Sequence, residues 1–165
     1  TSLSSYVLLR RFEEVLEAAN RRLSVMSEDR YQLVRSEERE AGQRAQRLGL
    51  AVAVVDHELG TTRSPHTLSG GETFYTSLAL ALGLADTVTD EAGGIELGTL
   101  FVDEGFGTLD PEALENVMSV LHGLSSGGRR AVGIVSHVQD LRSRISEQVV
   151  VRRRAEGGST LTVEA

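Results

Sequence analysis

The stretch 97–137 reads LGTLFVDEGFGTLDPEALENVMSVLHGLSSGGRRAVGIVSH. Leu97 to Val102 is an apolar run of strand length that stops abruptly at Asp103 and Glu104. Asp110, Pro111 and Glu112 then compose a helix start, with Asp as N-cap, Pro at the first helical position and Glu in the first turn. Leu114, Val117, Leu121 and Leu124 recur at helical spacing and give that helix its apolar face, and Gly127-Gly128 end it. Ala131 to Val135 is a second apolar run, followed by Ser136 and His137. Apolar strand, amphipathic helix, apolar strand predicts a parallel α/β core, whose strands must be covered on both faces. Ligands of such sheets sit outside the carboxyl ends of the strands, where this chain carries Asp103, Glu104 and His137.

Working outward, Ser69 to about Val88 reads as a helix with Phe74, Leu78, Leu82 and Ala85 on one face, and Gly93-Gly94 break the chain after it. Gly60 to Pro65 is turn chemistry. Tyr31 to Val34 and Leu48 to Val55 are strand candidates, joined by a polar stretch, Ser36 to Arg47, that reads as a solvated loop or a short exposed helix. From Leu3 to about Met26, Leu8, Phe12, Val15, Leu16, Ala19 and Leu23 fall on one face of a long amphipathic helix. Val149 to Val151, a Gly157-Gly158 turn, and Leu161 with Val163 suggest a terminal hairpin. The expected fold is α/β, a mainly parallel sheet flanked by helices with antiparallel strands beside it. Thr1 already lies in a periodic segment, so the chain is expected to be cut from something longer.

Composition narrows the chemistry. The 165 residues carry a net charge of −7, 25% are charged and 40% hydrophobic, as in a soluble domain of ordinary size. All 17 basic residues are Arg. A mechanism needing a phosphate-gripping lysine, including that of the P-loop G-x-x-x-x-G-K-[ST], therefore cannot be completed by these residues alone. The absence of Cys excludes disulfides and thiolate metal sites. No apolar run reaches 18 residues and no signal-peptide pattern opens the chain, so no membrane role is expected. Net acidity argues against binding nucleic acid by overall charge; Arg152, Arg153 and Arg154 read first as a solvated strand end, with phosphate contact as the alternative.

Three motifs carry chemistry. Leu68-Ser69-Gly70-Gly71-Glu72 opens a helix and has the form of a capping box, Ser69 accepting from the first turn and Glu72 reaching back. Two successive glycines cost about 0.8–1.0 kcal/mol each against Ala in a helix, which the box does not explain. Bare backbone at a helix N-terminus lets an anion approach the free N–H groups, so phosphate contact is expected of Ser69, Gly70 and Gly71. In Leu100-Phe101-Val102-Asp103-Glu104, paired carboxylates close an apolar strand. Asp103 suits a Mg²⁺ ion, which takes one or two protein carboxylates beside substrate phosphates, and Glu104 is placed to take a proton from an attacking water. Gly105 to Asp110 forms a glycine-rich loop, where Asp110 is either a helix cap or an interface residue. His137 can donate to a phosphate oxygen or hold the attacking water. His57, His66 and His122 have no such setting and are read as structural.

In order, Leu68 to Glu72, Leu100 to Glu104, Gly107 to Asp110 and Ser136-His137 resemble the signature motif, Walker B, D-loop and H-loop of ATP-binding-cassette ATPases. Thr67 to Glu72 together with Phe101 to Asp110 is most similar to the C-terminal end of SbcC, the nuclease-associated bacterial ATPases of the structural-maintenance-of-chromosomes (SMC) type; Gly105-Phe106 departs from the transporter pattern. Phe12 to Val34 also resembles that family's helix leaving the coiled coil. The resemblance implies residues 1–27 as that helix and 28–165 as the C-terminal lobe of an ATPase head, completed by an N-terminal lobe of the same protein that supplies the P-loop. It implies ATP and Mg²⁺ as cofactors, with Ser69, Gly70, Gly71, Glu72 and Asp110 binding nucleotide across a homodimer of heads, Asp103 on the metal, Glu104 as general base and His137 sensing the γ-phosphate. The implied partners are the nuclease subunit SbcD and double-stranded DNA, in the cytoplasm and in double-strand break repair. The alternatives are the head of another SMC-family ATPase, or a non-hydrolysing regulatory lobe that docks on a P-loop partner.

Overall fold

The computed structural model describes residues 3–36, 50–91, 98–126 and 130–164. Helix α1 (Leu3–Met26) leads into an antiparallel sheet of β1 (Tyr31–Arg35), β2 (Val52–Asp56) and β3 (Thr61–Arg63), with β2 in the centre. A 3-10 turn, Pro65–Thr67, delivers the chain to α2 (Gly70–Glu91). Then come β4 (Thr99–Asp103), a second 3-10 turn (Phe106–Thr108), α3 (Pro111–Ser126) and β5 (Ala131–Val135). A short α4 (Gln139–Arg142) precedes the hairpin of β6 (Gln148–Arg153) and β7 (Ser159–Glu164). As the sequence predicts, β4 and β5 pair in parallel, Asp103 beside Val135, with α3 as the crossover.

The core lies where α1, α2 and α3 meet the sheets, and Leu23, Val54, Leu82, Val117 and Phe106 are essentially inaccessible there. Helices α1 and α2 touch backbone to backbone at Gly83, where a Cβ would stand 2.6 Å from Ala19 N and 2.7 Å from Val15 O. Small residues on α2 set the distance between the two helices. The α1–β1 joint is built by side chains. Asn20 Nδ2 donates to Leu33 O and its Oδ1 accepts from Leu33 N, both at 2.8 Å, which satisfies the outward-facing backbone of edge strand β1. Glu28 and Asp29, with φ of 52° and 61°, turn the chain out of α1.

Four expectations are corrected. The second strand begins at Val52, not Leu48. The turn is at 57–60, and Thr61–Arg63, inside the expected turn, is a third strand registered against Val54–Asp56. The parallel strands are not covered on both faces by the described residues: Leu100 and Val102 face the core, but Phe101 is 71% and Val135 51% exposed. Phe101 lies across Gly133 of the neighbouring strand, where a Cβ would meet its ring at 2.5 Å. Leu8 of α1 is also exposed, because full burial on that helix starts only at Val15. The glycine pairs 93–94 and 127–128 and most of Ser36 to Arg47 lie outside the described residues. The terminal hairpin is as expected; its exposed Val149, Val151, Leu161 and Val163 share one face.

Candidate functional site

The site has two parts, joined by the loop 105–108. The first stands at the carboxyl ends of β4 and β5. Parallel pairing continues one residue past the strands, Glu104 N donating to Val135 O at 2.8 Å, and so brings Ser136-His137 alongside Glu104. Glu104 then adopts left-handed backbone, φ 60°, and Gly105 follows at φ 96°. That reversal swings the Glu104 carboxylate to His137, whose Nδ1 lies 2.9 Å from Oε2. A carboxylate partner fixes the tautomer with hydrogen on Nδ1 and leaves Nε2 toward solvent. Gly105 is required twice over, by its φ and because a Cβ would enter the Phe74 ring at 2.2 Å. Phe74 in turn packs edge-on against buried Phe106, ring centroids 5.0 Å apart, and so locks the loop to α2.

Asp103 is exposed on the uncovered face, and its carboxylate makes no hydrogen bond or ion pair among the described residues. One exposed, unengaged carboxylate fits Mg²⁺, which keeps most of its water and takes one or two protein carboxylates, and does not make an all-protein cage.

The second part is the N-terminus of α2. The capping box forms: Ser69 N donates to Glu72 Oε2 at 2.7 Å, and Glu72 N donates to Ser69 Oγ at 3.3 Å. Gly71 abuts the 3-10 turn, and a Cβ there would be 2.7 Å from Thr108 O, whereas at Gly70 it would meet only ordinary contact at 3.5 Å. Packing on Thr108 by itself demands a glycine at 71, whereas Gly70 has room for a Cβ and its bareness is not explained by packing. Asp110 Oδ1 accepts from Ala113 N at 2.8 Å and so caps α3. Ser69, Gly71, Glu72, Thr108 and Asp110 line one side of a cleft of about 270 Å³ whose other wall is the end of α1 and Arg30. Asp103, Glu104 and His137 are not among the residues lining it.

A third set of residues was not singled out from the sequence. Asp56 is fully buried at the end of β2 and receives Arg30 Nη2 and Arg63 Nη1, both at 3.3 Å, and the N–H groups of Glu58 and Leu59 at 3.1 Å. Burial opposes its charge, but the hydrogen bonds from Arg30, Leu59 and Arg63 outweigh it and hold its pKa below the ordinary value. Arg63 also grips Thr67, Nη2 to O at 2.6 Å and Nε to Oγ1 at 3.3 Å. Tyr31 hydroxyl donates to Glu72 Oε1 at 2.7 Å. Burial, then that bond, push the Tyr31 phenol up to about 12. Glu72 is opposed by its own burial yet held below its ordinary value by Tyr31 and Ser69, so it stays ionised. The sequence carries a signal for Asp56 alone, since Val52 to Asp56 is an apolar strand closed by an acid, as Leu100 to Asp103 is, and none for its arginine partners.

Residues 39–123 match the family model described as SbcC/RAD50-like, Walker B motif. The chain belongs to the SbcC/RAD50-like family. Among curated relatives of this SbcC/RAD50-like chain, the SbcC component of the nuclease SbcCD from Staphylococcus epidermidis is 49% identical over 144 residues, and that of Staphylococcus aureus 46% over the same length. In both, the match covers 87% of this chain and 14% of the relative, so the chain spans about a seventh of their length. Its fold is that of SMC heads. A structure described as "Structural biochemistry of ATP-driven dimerization and DNA stimulated activation of SMC ATPases" superposes with a TM-score of 0.72 at 15% identity, covering 98% of this chain and 89% of that one. The Smc head domain of Pyrococcus furiosus, bound to the C-terminal domain of ScpA, gives 0.66 at 14% identity, covering 96% and 36%. Among the described residues of the SbcC/RAD50-like chain, no helix is long and apolar enough to cross a membrane.

Proposed function

We propose that this chain is the C-terminal lobe of an SbcC-type ATPase head, which with an N-terminal Walker A lobe binds and hydrolyses ATP to control a partner nuclease at double-stranded DNA ends. The observation that carries the reading is the Glu104–His137 hydrogen bond at the ends of two parallel strands, with Asp103 unengaged beside it. In the reaction a water oxygen attacks the γ-phosphorus, the bond from phosphorus to the β–γ bridging oxygen breaks, and ADP departs. Glu104 takes the proton of that water as the new P–O bond forms. His137 stays tied to Glu104 through Nδ1–H, and its Nε2 accepts a hydrogen bond from the water or, as the imidazolium, donates to a γ-phosphate oxygen. Asp103 would hold Mg²⁺, which supplies charge neutralisation on the phosphates. Ser69 and the bare backbone of Gly70 face the nucleotide of a second, identical head; Gly71 and Glu72 shape that helix start, and Asp110 borders the same face.

The missing lysine supports a split site, because its phosphate-binding partner must stand on another segment. So does the uncovered face bearing Phe101 and Val135, which an N-terminal lobe would bury. Residues 1–27 are read as the helix leaving the coiled coil, which suits the exposed Leu3, Tyr6 and Val7 on its outer turns. SbcD is the proposed nuclease and the cytoplasm the proposed setting. The 46–49% identity to SbcC proteins, against 14–15% to SMC heads, favours SbcC over another SMC-type protein. The test is co-expression with the cognate N-terminal lobe: Mg²⁺-dependent ATP turnover is expected from the pair and essentially none from this chain alone. Turnover by the chain alone would sink the split-site reading, and a stable pair that binds ATP without turnover would make the lobe regulatory.

A further inference from the structure

Leu68 is flanked by two residues that the antiparallel sheet holds from opposite directions. On one side Arg63, on β3, forks onto both the carbonyl and the hydroxyl of Thr67. On the other, Tyr31, the first residue of β1, binds Glu72 Oε1, while Glu72 Oε2 binds Ser69 N. The two arms meet at their roots. Arg30, adjacent to Tyr31 and stacked 4.9 Å over its ring, shares the buried Asp56 carboxylate with Arg63. The result is a closed circuit from Thr67 through Arg63, Asp56, Arg30, Tyr31 and Glu72 to Ser69.

This circuit matters because Ser69 has two duties. Its hydroxyl caps α2 through a long, 3.3 Å bond, and the same hydroxyl stands where an opposing phosphate would be met. A 3.3 Å bond fixes a side chain poorly, so its position must come from the backbone on either side. The left wall of that backbone is Thr67, held by Arg63 of β3, and the right is the Ser69 N–Glu72 bond, held through Tyr31 of β1, so the sheet braces the segment in addition to α2, whose Thr73 N donates to Ser69 O at 2.9 Å.

We propose that Tyr31 and Arg63 are positioning residues that clamp the Thr67–Ser69 segment to the antiparallel sheet and so aim Ser69 and Gly70 at the nucleotide of the opposing head. The proposal rests on the ATPase reading above and adds residues outside the four motifs. Neither residue touches nucleotide; each acts through Ser69. Loosening the clamp therefore leaves ATP binding by the head's own P-loop intact and impairs the step that needs the second head, a kcat effect without a matching affinity effect.

The experiment uses the full-length protein in its nuclease complex and compares wild type, Tyr31→Phe, Arg63→Lys and Glu104→Gln. Tyr31→Phe keeps the ring and loses only the hydroxyl; Arg63→Lys keeps a cation for Asp56 but not the fork onto Thr67. Each is expected to lower kcat about tenfold, the size of one hydrogen bond to a charged group felt only in the closed state, while the Kd for ATP of the unclosed head changes less than about twofold. Glu104→Gln separates the two ideas. If it abolishes turnover while both clamp variants turn over like wild type, the clamp is wrong and the ATPase reading stands. If kcat and ATP affinity fall together in both clamp variants, the residues serve general folding and the clamp is again wrong. If Glu104→Gln hydrolyses ATP normally, the ATPase reading falls and takes the clamp with it.

Discussion

Asp56 and Asp103 each close an apolar five-residue strand, and they arrive in opposite environments. Asp56 is sealed between two guanidinium groups and two backbone N–H groups; Asp103, among the described residues, stands on an open face with its carboxylate unengaged. What separates them is the next few residues. After Asp56 the chain turns back within four residues to form β3 and brings Arg63 over it; after Asp103 it reverses through the left-handed Glu104 and Gly105, away from the sheet. The buried acid should show in the pH dependence of stability. Because the folded state lowers its pKa, Asp56 contributes stability fully above its unfolded value of about 3.9, and that contribution is lost as pH falls through the folded value. Asp56→Asn is therefore expected to lower the Tm at pH 7 and to converge toward wild type near pH 3. Parallel Tm curves with a constant offset across that range would show that the charge of Asp56 is not the source of its effect.

At the scale of elements, α2 is positioned by what it lacks. Gly83 lets α1 approach to backbone contact and Gly71 lets the loop 105–108 lie against the first turn. Gly83→Ala would drive a methyl to within 2.7 Å of two α1 backbone atoms, and overpacking of this kind costs about 1–3 kcal/mol, read as a lower Tm. The glycine pair at the helix start divides more sharply. Gly71→Ala is expected to destabilise by a similar about 1–3 kcal/mol, because it collides with the Thr108 carbonyl. Gly70→Ala should leave the Tm near wild type and lower ATP turnover of the assembled head, because it obstructs the phosphate and not the packing. Equal Tm losses in both would remove the case for Gly70 as a nucleotide contact. Much of this architecture was legible in the sequence. The parallel pair, its capped crossover helix, the capping box and the terminal hairpin all rest on local patterns of period and capping. Strand β3 was not legible, since Thr61 to Arg63 has no apolar alternation and pairs only because β2 lies beside it. Nor was the Arg30–Asp56–Arg63 network, which joins residues that are distant in the chain and ordinary one by one.

For the whole molecule the question is completeness. The residues proposed to meet phosphate lie at two places, yet the sequence holds no lysine, and among the described residues nothing covers one face of the parallel strands. A lobe that finishes its sheet and its site with another lobe accounts for all three. Phe101, 71% exposed, should then be a contact in the assembled head: Phe101→Asp is expected to weaken association with the N-terminal lobe by about 2 kcal/mol while leaving the Tm of this lobe within about 1 °C. Unchanged association by calorimetry would mean that the bare face is covered by something else. The central claim is that hydrolysis uses Glu104 as base within that assembled site, and steady-state ATP turnover of the two-lobe head with Glu104→Gln measures it most directly. The account predicts that kcat falls at least about a hundredfold while ATP binding persists; turnover within about twofold of wild type would contradict it.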